Sequence, residues 1–292
     1  MSKNMIRANG QRKATVKLLA LVLLTFCLTS CSTKLIYNYA DWLIFWTVDD
    51  YVELNEAQEN VLEIKIYELL KWHRQEELPY YTSLLKELRT IVVNKDDLAL
   101  EPLYQKARGL WKRAALKVTP DIIDFLPSLS QQQKQELVKN IKDIQQERNQ
   151  QWQEDQDQTW DEKFEDAEDK IENFIGDLTQ EQKVTLQAME RKRPDILPLR
   201  IAGRKRWLDL FSKALFNQPE IDQLTLFALF TELSSHRSIE QQNISEQISQ
   251  LRISELRYII KSMTDKQQVY LLEKIDDMTT DFELLIAQDQ IN

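Results

Sequence analysis

Residues 54–73 read Leu54-Asn55-Glu56-Ala57-Gln58-Glu59-Asn60-Val61-Leu62-Glu63-Ile64-Lys65-Ile66-Tyr67-Glu68-Leu69-Leu70-Lys71-Trp72-His73. Leu62, Ile66, Leu69, Leu70 and His73 recur at spacings of three and four, while Glu59, Lys65, Glu68 and Gln75 fall on the other side. That is one apolar stripe with a 3.6-residue period, so an amphipathic helix is expected over 56–77. Its start carries its own chemistry. The Asn55 side chain is placed to accept the amide hydrogen three residues on, and Gln58 to reach back to the Asn55 amide.

The same start occurs three more times, at Leu129-Ser130-Gln-Gln-Gln133, Leu178-Thr179-Gln-Glu-Gln182 and Met263-Thr264-Asp-Lys-Gln267. Successive glutamines are 75, 49 and 85 residues apart, too irregular for a solenoid. Further helices are expected over 80–93, 96–117, 130–175, 179–192, 195–216, 220–235, 240–261 and 264–287. Pro79, Pro102, Pro120, Pro127, Pro194, Pro198 and Pro219 are read as corners and first turns. The whole chain of 292 residues has only four glycines, against about 7% in ordinary proteins. Folds with many tight turns and glycine-rich phosphate loops are thereby excluded. The expected class is all-α, with long, irregularly packed helices in one domain over 31–292. One stretch, 145–159, has Trp152 as its single apolar side chain. A helix that polar buries no face along its length, so a projecting arm is expected over about 140–165, with Trp152 as a candidate partner contact.

Residues 1–30 are set apart from the fold. Lys3, Arg7, Arg12, Lys13 and Lys17 precede the apolar run Leu18–Leu28, with no acid among them. Eleven residues at about 1.5 Å each fall well short of a hydrocarbon core of about 30 Å, so the run reads as a signal peptide. It ends in Leu28-Thr29-Ser30-Cys31, which resembles a bacterial lipobox. That resemblance implies cleavage before Cys31, a diacylglycerol on its sulfur and usually a third acyl chain on its amine. Ser32, not aspartate, follows, which implies the periplasmic leaflet of the outer membrane. An ordinary secretory signal and an uncut anchor are the alternatives. Removal of the leader leaves 33 basic against 47 acidic residues, so the formal charge moves from −9 to −14. It also removes Cys27, and lipidation occupies Cys31, so neither disulfide nor thiol chemistry is expected. A net acidic exported chain is a poor nucleic-acid binder.

After Cys31 come Tyr37, Tyr39, Trp42, Phe45, Trp46 and Tyr51 within fifteen residues. Packing as the first core element is the expectation, with a place in the membrane interface as the alternative. Chemistry-bearing groups are few. The chain has two histidines, His73 and His236, and no metal-ligand or serine-hydrolase motif, so no metal or cofactor is expected. Carboxylate pairs occur at Asp49-Asp50, Glu76-Glu77 and Asp276-Asp277. Trp72, His73, Arg74 and Glu77 form the one cluster that brings carboxylate, imidazole and guanidinium within two helical turns, and His73 is expected as a packed rather than a catalytic histidine. Acids crowd 154–172, and a basic stretch follows at Arg191, Lys192, Arg193, Arg200, Arg204, Lys205 and Arg206. Internal pairing of the two is expected; a patch for an anionic glycan, lipid or peptide is the alternative.

The four caps are similar to the Leu-Thr-x-x-Gln pattern of the Spy/CpxP family of periplasmic helical proteins, which implies an ATP-independent chaperone. A second set of residues comprises Trp42-Leu43, Asp49-Asp50-Tyr51, Leu54-x-x-x-Gln58, Trp72-His73-Arg74 and Glu77-Leu78-Pro79-x-Tyr81. It resembles a family of bacterial lipoproteins of unknown function, over residues 28–90. The expected role is therefore non-enzymatic: a membrane-anchored lipoprotein with a binding or assembly-support task and an envelope protein as partner. The alternatives are a Spy-like chaperone and an envelope enzyme acting on glycan near His73.

Overall fold

The computed structural model describes residues 37, 39–157 and 160–288. The leader and Cys31 lie outside them. Among the described residues every regular element is helical. In chain order these are α1 Ala40–Asp49, α2 Glu56–Trp72, a π-helical turn His73–Glu77, α3 Leu78–Asn94, α4 Leu100–Phe125 and α5 Gln131–Asp157. Then come α6 Trp160–Ile175, α7 Gln180–Glu190, α8 Leu197–Leu215, α9 Gln223–Thr231, α10 Ile239–Ser262 and α11 Asp265–Gln288.

Two apolar cores carry the fold. Leu84, Ile91 and Val92 of α3 pack with Phe164 and Ile175 of α6, Leu186 of α7, Ile259 and Ile260 of α10, and Leu271 and Ile275 of α11. The second core gathers Val52, Ile123, Leu126, Leu129, Phe211, Leu215, Leu226 and Leu229. There Trp207 stacks on Phe211 at 5.0 Å, and Phe230 meets both rings edge-on. Helix α4 joins the cores, giving Leu100 and Leu103 to the first and Ile123 to the second. Along the α3–α11 seam, Lys86 pairs with Glu283 at 2.8 Å and Arg89 with Asp276 at 2.7 Å.

The four caps form, and they form in pairs. Gln58 and Gln133 bond each other reciprocally, Nε2 to Oε1, at 3.2 and 2.7 Å. Gln182 and Gln267 do the same at 3.0 and 2.8 Å. Each glutamine Oε1 also accepts from its own N-cap amide. Each Nε2 donates to a carbonyl two residues before the partner's cap: Ser128, Glu53, Ser262 and Asp177. Two helix starts are thereby clamped together at each site, with the side-chain amides fully used. Caps that local sequence reads as four separate starts are two tertiary joints.

Of the helix expected over 130–175, the described residues form α5 and α6, whose ends serve different cores: α5 turns Leu137, Val138 and Ile141 to one, and α6 turns Phe164 and Ile171 to the other. Pro79 falls in the first turn of α3, where a residue without an amide hydrogen is tolerated, and the π-helical turn leads from α2 into it. Pro120 lies inside α4, near its end. The aromatic run is not a core element. Helix α1 has no buried residue, and Tyr39, Trp42, Leu43 and Trp46 are all exposed; only Val48 and Val52 at its end reach the second core.

Candidate functional site

The π-helical turn sets Glu77 inward, where it is completely buried. Arg113 of α4 grips one of its oxygens twice, Nε at 2.9 Å and Nη2 at 2.6 Å to Oε1. The Arg113 guanidinium also lies 4.6 Å from the Tyr80 ring centre. Glu77 Oε2 is buried with no hydrogen-bond partner. His73 is enclosed by the rings of Tyr37, Trp72 and Tyr81 and its Nδ1 lies 3.2 Å from the Tyr37 hydroxyl. Burial holds its pKa below the ordinary 6.5, against the opposing pull of the Glu77 charge. Trp72 Nε1 donates to Glu76, and Arg74 lies over the Tyr37 ring. The cluster Trp72, His73, Arg74 and Glu77 is thus brought together, but its carboxylate is committed to Arg113, a partner invisible to local sequence. The signal for it was the charge at position 77 within an otherwise apolar stripe.

Beside this cluster, α1 and α2 border a groove of about 540 Å³ lined by Tyr37, Trp42, Phe45, Tyr67, Lys71 and Arg74. Deeper in the same half lies an apolar cavity of about 420 Å³ among α1, α2, α4, α5 and α8. Its two charged lining groups, Lys65 and Asp121, pair with each other at 3.0 Å. Exposed Trp42 and Trp46 stack on each other at 4.9 Å, so α1 presents a continuous aromatic face to solvent.

Three arginines of the basic stretch, Arg193, Arg204 and Arg206, have partners outside 154–172. Arg193 binds Glu190 and Glu255, and Arg206 donates to the His236 carbonyl and to Gln241. Arg204 lies 3.9 Å from the Trp152 ring centre and donates to Asn149 at 3.3 Å. Trp152 therefore does not stand free on an arm: a cation–π contact draws that part of α5 against α8. Among the described residues no group of three His, Cys, Asp or Glu is placed to hold a metal ion, and no helix is long and apolar enough to cross a membrane.

The chain belongs to the family of unknown function DUF6279, whose sequence pattern matches residues 50–240. The match runs far beyond residue 90, from Asp50-Tyr51 through Trp72-His73-Arg74 and Glu77-Leu78-Pro79 to the first turn of α10. No curated protein and no solved structure matches the chain.

Proposed function

We propose that this protein is an envelope lipoprotein with a non-catalytic binding or assembly-support role, held by lipidated Cys31 at the periplasmic leaflet of the outer membrane. The observation that carries the reading is α1. A helix with Trp42, Leu43, Ile44, Phe45, Trp46 and Val48 among its ten residues normally buries most of them in a core, yet this one is exposed, with Trp42 at 52% and Trp46 at 61% of their surfaces open. Amphipathic aromatic rings are at home in the membrane interface, and α1 begins nine residues after the cysteine of the lipobox. The anchor and the aromatic face together orient the rest of the chain toward an envelope protein partner. Against catalysis, the Glu77 carboxylate is taken up by Arg113 and His73 is walled by three rings. An enzyme acting on glycan at this cluster is the reading with least support.

The test is membrane fractionation with acyl labelling. Wild type is expected in the outer-membrane fraction with label, and Cys31→Ser without label. On vesicles, Cys31→Ser protein is expected to show a blue-shifted tryptophan emission that Trp42→Ala/Trp46→Ala removes. Label retained by Cys31→Ser would sink the anchor, and an unchanged emission shift in the double variant would sink the role of α1.

The reciprocal glutamine joints favour a second reading, since they rest on the pattern similar to Spy and CpxP. An ATP-independent chaperone protects unfolding clients at equimolar ratio in a light-scattering assay. Unchanged client aggregation would remove that reading.

A further inference from the structure

Between α5, α8 and the start of α10 lies a pocket of about 330 Å³ lined by Trp152, Arg200, Arg204, His236, Arg237 and Gln241. Its wall holds three guanidiniums and no carboxylate. Two more arginines stand near: Arg206, bonded to the His236 carbonyl and to Gln241, and Arg148, whose charge acts on Arg204. Among the described residues, no ion pair engages Arg148, Arg200, Arg204, Arg206 or Arg237, although the chain carries 47 acids. Arg237 Nε is buried with no hydrogen-bond partner.

The pocket is shaped, not merely charged. Gly203 forms part of its wall, and a Cβ there would fall 2.7 Å from Gln241 Oε1, so a larger residue would push the Gln241 side-chain amide from its place. Gln241 is itself buried. Its amide is capped by Ser238 at 3.1 Å, as in the four joints. Its side-chain oxygen, however, turns to Arg206 at the pocket.

Like charges collected this way repel one another. Burial, with Arg148 and Arg200, pulls the Arg204 pKa down; burial, with Arg200 and Arg108, does the same to Arg237. Burial, with Arg237 and Arg206, keeps His236 below the ordinary 6.5. Such an arrangement is costly empty and favourable once a multiply charged oxyanion enters, because a guanidinium fork matches phosphate oxygens in geometry and charge.

We propose that this pocket is a binding site for a phosphoryl group, with Arg200, Arg204 and Arg237 as its charged ligands and Gln241 as part of its wall. A phosphate monoester carries about 1.5 to 2 negative charges at pH 7, enough to neutralise the pocket. Free phosphate and the headgroup phosphate of a lipid share this chemistry.

The test uses the full mature protein in thermal unfolding, with inorganic phosphate against chloride at equal ionic strength. Phosphate is expected to raise the midpoint. Arg200→Gln and Arg237→Gln are each expected to weaken binding by about tenfold or more. In phosphate-free buffer both variants are expected to be at least as stable as wild type, because repulsion is relieved. Vesicles of phosphatidylglycerol, compared with phosphatidylcholine, form the second arm. Binding that depends on Arg237 in that arm alone assigns the phosphoryl group to a lipid, whereas a response to inorganic phosphate assigns a soluble ligand. No Arg237-dependent response in either arm overturns the site. So does a loss of phosphate-free stability in both variants, which would make the arginines structural supports.

Discussion

The two glutamine joints use one hydrogen-bond scheme in two surroundings. Gln182 and Gln267 are 1% and 3% exposed, against the first core's Leu178 and Met263. In the other joint Gln58 is 6% exposed and Gln133 only partly covered. The bonds are alike in length, so the difference lies in what happens when one is lost. A buried amide without its partner bears the full desolvation cost, whereas water replaces a partner at a half-open joint. Identical local sequence therefore carries unequal energetic weight, decided by the tertiary contacts around it.

The sharpest way to break that comparison is to cut one glutamine in each joint. Gln182→Ala strips bonds from the Thr179 amide, the Ser262 carbonyl and Gln267 together. We expect a loss of about 3 kcal/mol in urea unfolding. Gln133→Ala should cost about 1 kcal/mol, near that of an ordinary lost cap. Equal losses would mean that burial does not separate the joints. A double-mutant cycle on Gln182 and Gln267 should return a coupling of about 1–2 kcal/mol, larger than the cycle on Gln58 and Gln133.

Glu77 with Arg113 is a contact buried on its carboxylate side alone. Removing the arginine leaves a fully buried carboxylate without its ion partner, which typically costs about 3–5 kcal/mol. Here Arg113 is 46% exposed, so water screens the pair, and about 2 kcal/mol is the expected loss for Arg113→Ala. The check is whether Glu77→Gln/Arg113→Ala recovers part of it. If the single variant is as stable as wild type, Glu77 is solvated by some other route and the pair does not anchor the π-helical turn.

Much of this was legible in the chain. Caps and periodicity locate the helices because both are local. Pairing of the caps was not legible, since residues 75 and 85 positions apart meet only through the intervening helices. Likewise, Arg113 shows no sign in its own helix of being Glu77's partner. The basic stretch 191–206 shows only half of its pocket, because Trp152, His236 and Arg237 come from other elements, and Ser238-x-x-Gln241 lacks the apolar residue that marked the other caps. Helix α1 misled for the opposite reason: its apolar composition signals burial, while its position against α2 leaves Trp42, Leu43 and Trp46 open.

The smallest effect separates the two histidines by pH. Burial holds His73 below 6.5 in the folded chain, and the unfolded chain titrates near that ordinary value. Between the two values the unfolded state binds more protons, so stability falls as pH drops below 6.5 and is fully present above it. His236 is lowered by burial and by Arg237 and Arg206, so it acts in the same direction from the arginine pocket. Each histidine can contribute at most about 1.4 kcal/mol per pH unit. Unfolding free energies for wild type, His73→Gln and His236→Gln across mildly acidic pH should therefore show one slope reduced by each substitution. Phosphate gives the discriminating condition: bound beside His236, it favours the imidazolium and should flatten that histidine's share of the slope while leaving the share of His73 untouched. If phosphate altered the His73 share equally, its effect would not be confined to the arginine pocket, and the two histidines would not report separate sites.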